Sequence, residues 1–171
     1  AASTFAYMSR LFRTQPAIYG KARAWLAKCY VEEGWIYDAE DVIRNMKRDS
    51  LDWRAVKEWD YTYADYYVHT GQFEQAIPYM KKVIKHEVRR KQKAREWYLL
   101  GQLYAAVGNK QGAYQAFKHV IRQNPPYELE FNARISQTEV MASGGKAKQM
   151  IAKLRRMAAS DNNKDYLDQV Y

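Results

Sequence analysis

The chain has little cysteine, little histidine and no long hydrophobic run, and each shortage excludes a class of protein. A single cysteine, Cys29, rules out an internal disulfide. The apolar runs are only a few residues long, which is too short for a helix that crosses a membrane. The 3 histidines show no metal-ligand spacing along the sequence. We therefore predict no disulfide, no transmembrane segment, no metal site and no cofactor.

Combinations of residues that carry catalysis are missing as well. Cys29 has no evident base beside it, and no set of acid, base and nucleophile stands out. The pair Gly144-Gly145 before Lys146 lacks the rest of a phosphate-binding loop. We predict that the chain is not an enzyme.

What the sequence does contain is a regular repeat. Glycine recurs at an interval of 37 residues, and tyrosine and alanine keep the same interval. The members are Gly34, Gly71, Gly108 and, in weaker surroundings, Gly145; Tyr30, Tyr67 and Tyr104; Ala39, Ala76 and Ala113. A fixed period of this size is typical of stacked helical repeats. Each glycine fits a left-handed turn between two helices, and each alanine fits the point where the helices cross most closely.

The apolar positions follow helical spacing on both sides of each glycine. They predict helix pairs at 22–33 with 38–47, 53–70 with 73–90, 93–107 with 110–123, and 128–142 with 146–158. We divide the single array into a partial unit or cap (1–15), repeats one to three (20–52, 53–92 and 93–126), a degenerate repeat four (127–159) and the start of a further helix (160–171). The incomplete end segments predict either a fragment of a longer array or native capping helices at both ends.

The third repeat resembles the tetratricopeptide repeat closely. The residues at that family's spacing are Trp97, Leu100, Gly101, Tyr104, Gly108, Ala113, Phe117 and Pro125. The other repeats match at fewer positions. Taken together, the repeats extend the resemblance over nearly the whole chain. It implies an all-α, right-handed superhelix (α-solenoid) of antiparallel helix pairs. It also implies a non-catalytic scaffold for protein–protein interaction, whose concave groove binds a peptide or helix of a partner, with possible self-association through the ends of the solenoid.

The same resemblance assigns positions on the first helix of each pair to the concave groove. Carried over to this sequence, the partner-binding residues are Trp25, Lys28, Tyr61, Asp65, Arg95, Tyr98 and Gln102, and Ala24 and Thr62 line the same face. Tyrosine, tryptophan and arginine suit this role because they dominate binding energy at interfaces. The asparagines of the subclass that clamps a C-terminal carboxylate are missing, so we do not predict that activity.

A second, narrower resemblance concerns the stretch from Asn124 to Ile135. It is similar to a segment of large tetratricopeptide lipoproteins of Bacteroidetes, the PorW/SprE-like proteins of type IX secretion and gliding motility. This resemblance implies a periplasmic, outer-membrane-associated protein whose lipid anchor lies outside this chain, with other envelope secretion components as partners. Without it, we expect a soluble cytoplasmic protein.

The net charge of +9 raises the question of a polyanionic partner. The densest cationic stretch contains Lys81, Lys82, Lys85, Arg89 and Arg90. On one helix these side chains lie opposite the apolar row that ends at Val88, as the solvated convex face of a second helix. The alternative is a basic helical-repeat module that binds nucleic acid or an anionic membrane surface, although no single-strand binding motif accompanies the stretch.

Overall fold

The computed structural model describes residues 1–46 and 51–142, and in these ranges the chain forms helices and no strand. The helices are α1 (Ala2–Leu11), α2 (Pro16–Glu32), α3 (Ile36–Arg44), α4 (Val56–His69), α5 (Phe73–His86), α6 (Arg90–Ala106), α7 (Lys110–Arg122) and α8 (Tyr127–Met141). None of these helices has the length and apolar character that a bilayer crossing requires. The chain divides into two compact units, Ala1–His86 (unit 1) and Glu87–Tyr171 (unit 2), each described by itself below.

The repeated glycines close the links within three helix pairs, α2–α3, α4–α5 and α6–α7. Gly34, Gly71 and Gly108 have positive φ angles of 77°, 71° and 77°. The amide after each glycine donates to a carbonyl oxygen at 2.8 Å, and the acceptors are Tyr30, Tyr67 and Tyr104. This is the hydrogen bond of a Schellman helix end, which needs a left-handed residue at the glycine position. The 37-residue period of glycine and tyrosine therefore marks one recurring backbone turn.

The core of unit 1 lies where α2 meets its neighbours. Helix α2 packs against α1, α3 and α4, and α4 packs against α5. The largest buried side chain is Trp59, which is 1% exposed and packs with Leu26 and Val42. Small residues permit this close approach, since Ala27 and Ala39 are both fully buried.

Unit 2 has its own core between α6, α7 and α8. Phe117 and Val120 of α7 pack against Ala94 of α6 and Ala133 of α8. A Cβ atom added to Gly101 of α6 would lie 2.5 Å from the Phe117 ring, so glycine is required there for the ring to fit. Both units thus use paired helices with small residues at their crossings, which confirms the predicted all-α helical-repeat fold.

The predicted helix boundaries differ from the structure by a few residues in most helices, and the differences are largest at the start of α2 and the end of α5. Helix α2 begins at Pro16 rather than at residue 22, because proline fits the first turn of a helix, where no amide donor is needed. Helix α5 ends at His86 rather than at residue 90, and Val88 is 86% exposed instead of lying on an apolar face. The carboxylate of Glu87 accepts the amides of Val88 and Arg89, which supports the non-helical link before α6. The predicted helix at 146–158 lies outside the described residues.

Candidate partner-binding face

Three of the predicted groove residues come together on the α2–α4 face of unit 1. Lys28 Nζ lies 5.4 Å from the centre of the Trp25 ring and 5.1 Å from that of the Tyr61 ring. Both distances are in the range of cation–π attraction. Trp25 is 44% exposed, although Phe5 of α1 stacks on it with ring centres 6.2 Å apart. We name Trp25, Lys28 and Tyr61 the cation–aromatic cluster.

Buried hydrogen bonds between α2 and α4 hold this face in place. The indole Nε1 of Trp59 donates to the carbonyl oxygen of Gly20 at 2.9 Å. The hydroxyl of Thr62 lies 3.1 Å from the carbonyl oxygen of Ala24 and 2.9 Å from that of Glu58 on its own helix. Thr62 and Ala24 are only 2% and 0% exposed, so these two predicted lining residues join the helices instead of facing a partner. The cluster therefore rests on a fixed pair of helices.

Charged residues continue the contact between α2 and α4 on either side of the cluster. Lys21 Nζ lies 3.7 Å from Glu58 Oε1, with both side chains partly exposed. Asp65 stands one turn beyond Tyr61, and burial raises the pKa of its carboxyl group, while His69 and Lys28 act to lower it. Asp65 Oδ1 lies 3.4 Å from His69 Nδ1, which is itself 2.9 Å from the Asp65 carbonyl oxygen. The α2–α4 face thus carries both signs of charge within one patch.

The predicted groove residues of unit 2 have different surroundings. Arg95 and Gln102 are exposed on α6. Tyr98 is half-buried, with its ring centre 5.4 Å from that of Phe117 and its hydroxyl 3.4 Å from Ser136 Oγ. Part of Tyr98 therefore packs against α7 and α8, and Arg95 and Gln102 are the more accessible of the three.

The structure divides the predicted basic stretch at the helix end. Lys81 and Lys85 are exposed on α5, and Lys82 Nζ lies 4.9 Å from the centre of the Tyr79 ring. Arg89 precedes α6 and contacts the buried Glu87 carboxylate at 3.1 Å, so its charge is balanced locally. The prediction of one helix that carries all five cations was therefore wrong in this respect.

Sequence reasoning missed one further cluster on the α2–α4 face. Glu32 at the end of α2 meets Asp65 and His69 of α4, and one ligand atom from each lies within 4.8 Å of the others. The histidines alone gave no sign of it, because only one histidine takes part. The signal that could have found it is the repeat itself, since Glu32 and His69 are separated by the same 37 residues as the glycines.

The fold and its turns define a class of protein, the helical-repeat proteins built from paired antiparallel helices. Comparison with known families then names the repeat: the tetratricopeptide repeat model matches residues 61–85 and 94–127. These segments correspond to most of the α4–α5 pair and to the α6–α7 pair. The match supports the chain as a tetratricopeptide repeat protein, and such repeats generally mediate protein–protein interactions. No curated protein and no solved structure matches the chain.

Proposed function

We propose that the chain is a non-catalytic scaffold whose α2–α4 face binds an extended or helical segment of a protein partner. The observation that supports this most directly is the cation–aromatic cluster of Trp25, Lys28 and Tyr61. Tryptophan and tyrosine supply large contact areas for little conformational entropy, which is why they are enriched among residues that dominate binding energy.

The rigidity of the two helices adds to the case. Binding is weakened by the entropy of ordering side chains and backbone at an interface, so a surface that is already ordered binds more tightly. Here the Trp59 hydrogen bond joins α4 to α2, and the buried Thr62 hydroxyl is in contact with the Ala24 carbonyl oxygen of α2. Lys28 is also held against two rings, which limits the freedom it would lose on binding. In unit 2, Arg95, Tyr98 and Gln102 of α6 are proposed as a separate binding surface of that unit.

The test is affinity capture with single variants of the cluster and matched controls elsewhere. Trp25→Ala and Lys28→Ala change the proposed face, while Tyr37→Ala and Lys85→Ala remove an exposed aromatic residue and an exposed cation from second helices. Recovered proteins are quantified by mass spectrometry, and the strongest candidate is then titrated as a purified protein. We expect a loss of affinity of at least about tenfold, or 1.4 kcal/mol, for the cluster variants.

The controls decide how a loss is interpreted. Tyr37 is 88% exposed, so its removal should leave both the fold and partner capture unchanged. If Tyr37→Ala and Trp25→Ala lower the affinity of the purified partner equally, the proposed face is not the binding site. Equal recovery of every protein by the wild type and both cluster variants would have the same meaning. A second set, Arg95→Ala and Gln102→Ala, asks the same question of unit 2.

The cellular setting that we propose is an envelope secretion or gliding complex at the outer membrane, in the periplasm. Its support is the similarity of the stretch from Asn124 to Ile135 to the PorW/SprE-like lipoproteins, and the proposed partners are other components of that complex. Fractionation of cells that contain the full-length protein tests the location. Recovery in the cytoplasmic fraction, with no envelope component among the captured proteins, would reject this setting. It would not affect the proposal that the α2–α4 face binds a partner.

Polyanion binding remains the second candidate, because Lys81 and Lys85 are exposed one turn apart on α5. Binding to nucleic acid or anionic vesicles should then weaken steeply with rising salt, since each neutralised phosphate releases counterions. Lys81→Ala with Lys85→Ala should reduce both the affinity and its salt dependence. A partner captured equally by this double variant and by the wild type would identify the α5 cations as a solvated face only.

A further inference from the structure

Three potential metal ligands meet at the end of the α2–α4 face, beyond the cation–aromatic cluster. Glu32 lies in the last turn of α2, and Asp65 and His69 lie one turn apart on α4. One ligand atom from each residue lies within 4.8 Å of the other two. Within residues 1–46 and 51–142, these three residues form the one group of histidine, cysteine or acidic side chains that lie close enough together to share an ion.

The two α4 residues are arranged as metal ligands from one helix commonly are. A separation of four residues places both side chains on one face. His69 Nδ1 lies 2.9 Å from the carbonyl oxygen of Asp65, so a proton on Nδ1 makes that hydrogen bond and leaves the lone pair of Nε2 available. Ligating histidines generally donate their second ring N–H to a carbonyl or carboxylate in this way.

Within the described residues, the Asp65 carboxylate is partnered through one oxygen, Oδ1, which lies 3.4 Å from His69 Nδ1. Its Oδ2 atom is inaccessible to solvent and has no hydrogen-bond partner within the described residues. A buried carboxylate oxygen without a partner is costly, and a cation that binds it would remove that cost. Burial raises the pKa of this carboxyl group, in agreement with poor solvation of its charged form.

We propose that Glu32, Asp65 and His69 bind a divalent transition-metal ion, with Zn²⁺ as the best fit. One imidazole nitrogen with two carboxylates is a ligand set suited to zinc, and three protein ligands leave a fourth position for water. The ligands of a tetrahedral zinc ion lie about 3.3 Å apart, given bonds of about 2.0 Å. Glu32 is exposed at the end of α2, so its side chain can close the distance that remains.

Lys28 makes the proposal sharper, because its charge opposes a bound cation. Lys28 lies one turn before Glu32 on α2, and its charge acts on the Asp65 carboxylate. Lys28→Met should therefore tighten zinc binding, whereas the proposed partner-binding role of Lys28 requires that the same variant weaken partner capture. The two proposals are independent, and this one substitution separates them.

The experiment is calorimetric titration of the metal-free chain, without an affinity tag, with a zinc salt alone. We expect one zinc ion per chain for the wild type. His69→Ala, Asp65→Asn and Glu32→Gln should each weaken binding at least about tenfold. Circular dichroism of every variant checks that the helices are intact, and Asp65→Asn and Glu32→Gln keep the shape of the original side chains.

Two matched controls identify the ligands. His86→Ala removes the other histidine of unit 1, and Cys29→Ser removes the free thiol on α2. Both variants should bind zinc as tightly as the wild type. The proposal is overturned if the wild type binds no zinc, if His69→Ala binds it with unchanged affinity, or if Cys29→Ser abolishes binding and so identifies the thiol as the ligand.

Discussion

The first helices of units 1 and 2 occupy the same positions of the repeat but carry different chemistry. At one position the repeat holds Lys28, Asp65 and Gln102, and at another it holds Glu32, His69 and Ala106. In unit 1, both positions are filled by charged or titratable groups on α2 and α4. On α6 of unit 2, the same positions carry an amide and a methyl group. The repeat thus fixes where a side chain lies, and substitution at that position decides what it can bind.

The two equivalent tyrosines show the same division. Tyr61 of unit 1 lies beside Lys28, with the ammonium group 5.1 Å from the ring centre. Tyr98 of unit 2 contacts Phe117 and approaches Ser136 through its hydroxyl. A partner that contacts Tyr61 meets a ring polarised by a cation, while Tyr98 is partly committed to packing. For this reason we propose that the main binding residues lie in unit 1.

The largest expected effect compares the two cores. Trp59→Ala in unit 1 and Phe117→Ala in unit 2 each remove a side chain that is 1% exposed. Each should lower the free energy of unfolding by about 3–5 kcal/mol. Trp59→Ala belongs at the upper end, because it also leaves the Gly20 carbonyl without its indole donor. Urea unfolding followed by circular dichroism measures both, and a cost below about 1 kcal/mol at either site would contradict the described core.

The second prediction replaces the residue pair at one helix contact of unit 2 by the pair found at the equivalent positions of unit 1. Where unit 2 has Gly101 against Phe117, unit 1 has Ala64 and Met80 at the equivalent positions. Gly101→Ala should cost about 1–3 kcal/mol, because the new methyl group would lie within 2.5 Å of the Phe117 ring. Adding Phe117→Met to Gly101→Ala should recover part of this loss. A double variant as unstable as the sum of the two single variants would show that the contact does not couple them.

The third prediction concerns pH and is confined to unit 2. His119 stacks on Trp97 with ring centres 4.2 Å apart, and burial, with Arg122 and Lys118 nearby, lowers the pKa of its imidazole. At a pH between its folded-state and unfolded-state pKa values, such a base is neutral in the fold but gains a proton on unfolding. Its contribution to stability is therefore intact above the unfolded pKa of about 6.5 and is lost as pH falls through the folded value.

Replacement of His119 by glutamine, which does not titrate in this range, isolates that contribution. The free energy of unfolding of the wild type should fall more between pH 7 and 5 than that of His119→Gln. His69→Gln in unit 1 serves as the matched control, since it makes the same substitution at an exposed histidine. If His119→Gln leaves the pH dependence unchanged, the imidazole is not desolvated as described.

The smallest expected effect is that of the exposed pair Lys21 and Glu58 between α2 and α4. Its 3.7 Å separation and partial exposure predict a coupling of about 0.2–1 kcal/mol in a double-mutant cycle with alanine. High salt should reduce the coupling through screening. A coupling that exceeds this range and resists salt would mean that the α2–α4 face is drier than the structure indicates.

The repeat, its helix pairs and its turns could be predicted from sequence because each depends on local geometry. A left-handed turn favours glycine, and a close helix crossing favours a small residue such as alanine, so both leave a periodic signal. The ends of α2 and α5 could not be predicted in the same way. They depend on Pro16 at a first helical turn and on the Glu87 side chain, and neither residue belongs to the period.

The candidate sites were harder to predict, for a related reason. The cation–aromatic cluster followed from family positions, but its exposure depends on which neighbours pack inward, as Thr62 does. The Glu32, Asp65 and His69 cluster depends on α2 and α4 lying side by side, which the spacing of histidines along the chain does not reveal. Burial and proximity between helices are tertiary properties, and a repeat period alone does not supply them.

The turns at Gly34, Gly71 and Gly108 have a consequence for engineering. Each is closed by main-chain hydrogen bonds and one glycine, whereas the residue that follows the glycine differs between repeats: Trp35, Gln72 and Asn109 occupy this place. We therefore expect that a helix pair and the glycine turn between its helices can be moved as one segment, with the joins placed outside that turn. Chimeras that exchange such helix pairs would change the residues available for partner binding while the backbone of the turn stays the same.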